Sequence, residues 1–162
     1  MHRWVLVLVC ACSARKADRP KDAPDAVAAW HALRDRIPGR WIATTGESTV
    51  PVSFQIISGD SVILETFGRP GRETATAYHL DGAGLLATHY CAQGNQPGLR
   101  MQAGDAEHPQ LALVDVTGQD AGESVLVEVS FDLPSDVGFD RTEVYREPGG
   151  ALARTVWHFA PA

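Results

Sequence analysis

The sequence predicts an all-β domain, an antiparallel up-and-down meander that closes into a barrel and is preceded by one short helix. Apolar residues alternate with mostly polar ones along residues 50–56 and 125–133, which is the period of half-buried strands. Glycine and proline turn signals divide the chain after Gly39 into pieces of about 6–11 residues. No piece is long enough for the helical crossover that parallel strands require, so the strands must be antiparallel.

The N-terminal 24 residues are predicted to lie outside the fold. His2 and Arg3 precede an apolar stretch that ends in Val9-Cys10-Ala11-Cys12, which resembles the lipobox of bacterial lipoproteins. The resemblance implies a signal peptide over residues 1–11, acylation of Cys12 and a flexible tether over residues 12–24. Ser13 after the acylated cysteine implies sorting to the outer membrane, facing the periplasm. The alternative is an ordinary signal that is cleaved near Ala14.

Composition excludes several classes of function. The chain carries a formal net charge of −6 and only two lysines, so it is poorly suited to bind nucleic acid. No apolar run approaches the roughly 18 residues that span a bilayer, and membrane attachment is expected through the lipid alone. After processing, Cys91 would be the single cysteine, so no disulfide can form within the chain.

A single domain is predicted over residues 25–162, and it begins with a helix. Ala26, Trp30, Leu33 and Ile37 recur at helical spacing and form one apolar face. Asp22 or Asp25 could cap the start, and Pro38-Gly39 would end the helix. About ten short strands follow, and either a barrel or a sandwich would hide their edges.

The barrel is favoured by Gly39-Arg40-Trp41, which follows the helix and opens the first strand. This resembles the Gly-x-Trp signature of lipocalins, in which a helix closes the bottom of the barrel and the tryptophan seals it. The resemblance implies a late arginine over the indole of Trp41, and Arg154 on the last strand is the candidate.

The segment Thr88-His89-Tyr90-Cys91, followed by Gly94-Asn95-Gln96-Pro97, carries a second resemblance. Together with residues 78–82 it is similar to a motif in a family of small bacterial lipocalin-like barrels of unknown function. The similarity covers residues 35–105. Later histidines of that family have no counterpart in Gly122-Glu123-Ser124-Val125, and the family implies no activity.

The same segment holds the candidate ligand-binding residues. With a turn at residues 81–84, Thr76 would face His89, and Tyr78, His89 and Cys91 would share one face of the sheet. We expect this face to point inward, with the Tyr78 hydroxyl bonded to His89 and with Cys91 buried and poorly reactive. Asn95 and Gln96 would offer hydrogen bonds at the barrel mouth, although a turn needs such residues in any case.

These observations favour a monomeric, non-catalytic lipoprotein that binds a small, partly apolar molecule, with no metal or cofactor. One alternative is an envelope interaction protein whose barrel is filled by its own side chains. A third is a haem-binding barrel or a Cys-His enzyme centred on His89 and Cys91. His89 could also be purely structural, bonded to a neighbouring backbone or hydroxyl group.

Overall fold

A computed structural model describes residues 23, 25–134 and 137–162 of the chain. The predicted signal peptide (1–11), the acylation site Cys12 and all of the tether except Ala23 lie outside the described residues. No helix in the described ranges is long and apolar enough to cross a membrane.

The predicted N-terminal helix is present as α1 (Ala26–Arg36). Ala26, Trp30 and Leu33 are buried, as is Ile37 just after the helix, which confirms the apolar face expected from their spacing. Asp25 precedes the helix but makes no side-chain capping hydrogen bond, and Asp22 lies outside the described residues.

Ten strands follow, and they form one closed antiparallel barrel, as the sequence predicts. Each strand pairs with its neighbours in sequence, and β1 pairs with β10 to close the circle. The strands are β1 (Gly39–Thr45), β2 (Ser48–Ile57), β3 (Val62–Phe67), β4 (Thr74–Asp81), β5 (Gly84–Tyr90), β6 (Gln96–Ala103), β7 (Gln110–Thr117), β8 (Val125–Asp132), β9 (Phe139–Arg146) and β10 (Leu152–Pro161).

The helix covers one end of the barrel, which we call the closed end. The Trp41 indole Nε1 donates a hydrogen bond to the carbonyl of Ile37 at 2.8 Å, which fixes the end of the helix to the start of β1. Arg36 at the end of the helix forms an ion pair with the Glu107 carboxylate at 2.8 Å.

We call the opposite end of the barrel the mouth. Its rim consists of the five connections 46–47, 68–73, 91–95, 118–124 and 147–151.

An aromatic cluster fills the lumen near the closed end. Phe139 stacks on Phe159 with ring centroids 4.3 Å apart, and Trp41 and Phe54 contact the edge of Phe139. All the phenylalanines of this cluster are at most 5% exposed. Their burial supplies much of the hydrophobic stabilisation of the fold.

The pairing of β7 with β8 covers only part of both strands. It joins Gln110–Ala112 to Glu128–Ser130, whereas β7 continues against β6 and β8 continues against β9. A register shift between Leu126 and Glu128 breaks the alternation of β8. The unbroken alternation predicted along residues 125–133 is therefore wrong, because a bulge places two residues opposite one.

Candidate functional site

The register of β4 and β5 decides which side chains enter the lumen. The structure pairs Thr76 with His89, Tyr78 with Ala87 and Leu80 with Leu85, as expected from the turn at residues 81–84. Tyr78 and His89 are buried, at 1% and 4% exposure, and Tyr90 points outward. The inward orientation of the His89 face is confirmed.

His89 is held between two hydroxyl groups. Its Nδ1 lies 3.0 Å from the Thr76 hydroxyl on the neighbouring strand, and its Nε2 lies 3.5 Å from the Tyr145 hydroxyl on β9. Burial lowers the pKa of His89 to about 4, although Glu65 acts in the opposite direction. The imidazole is therefore neutral at pH 7. The expected hydrogen bond from Tyr78 to His89 is wrong, because Thr76 and Tyr145 lie at the two ring nitrogens.

Tyr78 instead donates its hydroxyl to Glu65 at 2.9 Å. Burial, reinforced by the charge of Glu65, raises the pKa of Tyr78 well above its ordinary value, so the hydroxyl keeps its proton. Glu65 is 1% exposed and lies on β3 among apolar neighbours. A carboxylate in this position needs a counter-charge.

Arg141 on β9 supplies that counter-charge. It lies four positions from β3 around the ring of strands, so its ion pair with Glu65 crosses the lumen. A second ion pair joins Arg141 to Glu143 at 2.7 Å. Burial alone would lower the pKa of Arg141, but Glu65 and Glu143 outweigh it and raise the pKa. Rings of Phe67 and Phe159 flank the guanidinium, each centroid 5.2 Å away.

This charged cluster is absent from the sequence predictions. The sequence does contain a signal for it. Arg141 and Glu143 lie at every second position between Phe139 and Tyr145, so all four share the inward face of one strand. Glu65 lies in the same way between Ile63 and Phe67. The pattern shows which face each side chain occupies, whereas the pairing across the lumen depends on how the barrel closes.

Above the charged cluster, toward the mouth, the inward-facing side chains are only partly buried. Phe67 and Trp157 meet edge to face at 5.0 Å, and both stay partly exposed. The Trp157 indole donates to Glu143 at 3.2 Å, and Tyr145 lies one inward position further out on β9. We call the set Phe67, Glu143, Tyr145 and Trp157 the cup.

The rim loops around the cup are bound to one another. The Asn95 amide is fully buried and donates to Glu123 at 2.9 Å and to the Ser124 carbonyl at 3.2 Å. Gln96 is on the outside of this contact and accepts a hydrogen bond from Thr117 at 2.9 Å. Asn95 thus joins the 91–95 connection to the 118–124 connection, and Gln96 joins the start of β6 to the end of β7. Ligand binding by these two residues stays a prediction.

Cys91 follows β5 at the rim and is half-buried rather than fully buried as expected. Its backbone N–H donates to the carbonyl of Asn95 at 3.0 Å and so closes the turn. Both ring nitrogens of His89 face hydroxyl groups, not the thiol. A general base or an axial haem ligand would need one of these nitrogens to be released.

The predicted contact between Arg154 and Trp41 is wrong. Trp41 lies opposite Pro161, seven residues along β10 from Arg154. Arg154 also lies on the face of β10 opposite to the inward-facing Trp157 and Phe159, and it is exposed. The arginine that stacks on rings inside the barrel is Arg141, which comes from β9.

The cup presents a carboxylate, an indole, a phenol and a phenyl ring, all partly exposed, at the mouth end of the lumen. These groups can bind and orient a small molecule by hydrogen bonds and ring contacts. Among the described residues, no group of three metal-ligating side chains lies close enough to hold a metal ion. No family model matches this chain, and no curated protein was found to be similar to it.

Proposed function

We propose that this protein is a lipid-anchored envelope protein that binds a small, partly apolar molecule in the cup, without catalysing a reaction. The observation that carries the proposal is the partial exposure of Phe67, Trp157 and Tyr145, three aromatic side chains that face the lumen. In a lumen filled to the mouth such side chains would be buried. Their exposed faces can gain contact with an apolar ligand body.

The polar groups beside these rings suit the other end of such a ligand. Glu143 keeps 14% of its side chain exposed, whereas Glu65 and Arg141 below it keep 1% and 2%. The floor of the cup is therefore a fixed, bonded layer. A ligand would meet a floor that is already ordered, which reduces the entropy that binding costs.

The proposed location at the cell envelope depends on the resemblance of residues 9–12 to a lipobox. The resemblances of Gly39-Arg40-Trp41 to lipocalins and of residues 78–97 to small lipocalin-like barrels support a binding role in the same way. For the anchor, labelled palmitate should enter the wild-type protein and be absent from Cys12→Ala. Equal incorporation into both proteins would contradict the lipid anchor.

A second candidate function is protein interaction by a barrel that encloses no ligand. Contacts that cross the lumen at mid-height favour it, because Glu65 meets Arg141 and Tyr78 meets the edge of Phe131 at 5.8 Å. Three cavities of about 150, 270 and 240 Å³ lie at the closed end and on the outer wall, away from the cup. The two candidates differ in whether the cup is occupied.

Native mass spectrometry of the full-length protein, purified from its own host in mild detergent, separates them. We expect a bound small molecule on the wild type and on Val156→Phe, whose side chain points outward. Thr155→Phe places a ring at the neighbouring inward-facing position and should abolish the bound mass. A wild-type protein with no bound mass, or retention by Thr155→Phe, would favour the filled barrel.

A further inference from the structure

We propose that the ligand of the cup is an organic cation, an amine with a partly apolar body whose ammonium group lies beside Glu143. This inference assumes the proposed function, in which the cup binds a small molecule. It adds the chemical class of that molecule, which follows from the charges and rings that line the space.

The charges inside the lumen are not balanced. Among the inward-facing strand residues of the described ranges, two carboxylates, Glu65 and Glu143, share one guanidinium, Arg141. His89 is neutral at pH 7, since burial lowers its pKa to about 4. The lumen therefore carries one formal negative charge in excess. A cation from outside would compensate it in surroundings where charge interactions are strong.

Of the two carboxylates in the lumen, Glu143 is the one that a ligand can reach. Glu65 is enclosed, and it is bonded to both Tyr78 and Arg141. Glu143 stands one inward position nearer the mouth than Arg141 and keeps 14% of its side chain exposed. Each of its oxygens accepts one hydrogen bond, from Arg141 and from Trp157, and each can accept another.

Aromatic side chains lie beside Glu143. Trp157 donates a hydrogen bond to it, Phe67 meets Trp157 edge to face, and Tyr145 lies one inward position further out on the strand. Ring faces attract cations, with indole the most effective. An anionic ligand would find no comparable group here. The Arg141 Nε has no hydrogen-bond acceptor, but its side chain is 2% exposed, lies between two phenyl rings and is already shared by two carboxylates.

The rim has the same sign of charge as the cup. Its five connections contain two arginines, Arg69 and Arg72, against five acidic residues: Glu47, Glu73, Asp120, Glu123 and Glu147. A rim with an excess of carboxylates raises the local concentration of cations and repels anions before any contact forms. The rim carboxylates thus attract cations, and the excess negative charge at Glu143 favours the same class of ligand.

The test uses three probes that share one apolar body and differ in the head group: 2-phenylethylamine, 2-phenylethanol and phenylacetate. Isothermal titration of the full-length protein at neutral pH should show the amine binding about tenfold more tightly than the alcohol. Phenylacetate should bind most weakly. Glu143→Gln should bring the amine to the affinity of the alcohol. Glu128→Gln, which removes a carboxylate from the outer wall, should leave the ranking unchanged.

Equal affinities of the wild type for amine and alcohol would overturn the assignment of a cation while leaving the proposed function intact. Tightest binding of phenylacetate would overturn it as well. If none of the probes binds, the cation assignment fails, and the bound mass in the Thr155→Phe experiment then decides the proposed function separately. The wild-type ranking tests the proposal even if Glu143→Gln does not fold.

Discussion

The two halves of the lumen are built from the same strands but from different chemistry. Toward the closed end the inward positions are apolar and buried, as in the stack of Phe139 on Phe159. Toward the mouth they carry charges, hydroxyls and half-exposed rings. Strand β9 passes through both halves, because Phe139 lies in the aromatic stack, Arg141 and Glu143 follow, and Tyr145 reaches the cup.

The closed half of the barrel provides most of the stability, and the mouth half provides the groups that can bind a ligand. Buried aromatic rings stabilise the fold without hydrogen-bonding requirements, whereas buried charges cost desolvation energy that their partners only offset. A barrel with one apolar, helix-covered end can therefore tolerate a polar and partly open second end. We expect substitutions in the closed half to reduce stability most, and substitutions in the mouth half to change pH dependence and binding.

Phe139→Ala should cause the largest loss of stability, about 4 kcal/mol in the free energy of unfolding, because it leaves a cavity among four aromatic neighbours. Phe67→Ala in the cup should cost about half as much, since Phe67 is already partly exposed. Urea unfolding of both variants measures the difference. Equal losses would remove the distinction between the two halves.

Arg141→Met should destabilise the protein by about 3 kcal/mol, because the variant leaves Glu65 buried without its counter-charge. The double variant Glu65→Leu/Arg141→Met should recover most of this loss, since the fully buried Glu65 charge is gone. Glu143 also loses Arg141, but it is partly exposed and keeps its hydrogen bond from Trp157. A double-mutant cycle in urea gives the coupling energy. Additive effects of the two substitutions would show that the ion pair across the lumen does not couple them.

The stability of the wild type should fall as the pH falls from about 6.5 toward 4, and His89 should account for part of the fall. The unfolded chain protonates His89 below about 6.5, whereas the folded protein does so only near 4, so in this window the unfolded state binds more protons. By pH 5 the contribution should reach about 2 kcal/mol.

Thermal or urea unfolding across this pH range measures the slope. His89→Gln should flatten it, because glutamine does not titrate. His31→Gln, at an exposed position of α1, is the matched control and should leave the slope unchanged. An identical slope in the wild type and His89→Gln would contradict a buried, neutral imidazole.

Asn95→Ala should have the smallest of these effects, about 1–2 kcal/mol, through loss of the bonds that join the 91–95 connection to Glu123 and Ser124. Gln96→Ala, at the neighbouring position on the solvent side of the rim, should change stability by less than about 0.5 kcal/mol. Unfolding midpoints of the two variants compare a fully buried with a partly exposed rim amide. The reverse order would contradict the role assigned to Asn95.

The sequence by itself determined the elements of this fold. Period-two apolar patterns and frequent turn signals were enough to predict an antiparallel meander, because strand faces and turns are local properties of the chain. The choice of a barrel over a sandwich depended on the resemblance of Gly39-Arg40-Trp41 to the lipocalin signature. The helix face through Trp30 and Leu33 and the register that pairs Thr76 with His89 follow from the same local rules. The break in β8 was missed because a bulge leaves no local composition signal there.

Only the tertiary structure decided which groups meet across the lumen. Strand parity places Glu65, His89, Arg141 and Tyr145 inside, but their partners come from strands on opposite sides of a closed barrel. Such pairings depend on strand number and on the stagger between strands, which no short segment encodes. For this reason the charged cluster was not foreseen, Tyr78 was assigned to the wrong partner, and Arg154 was expected where the barrel uses Arg141.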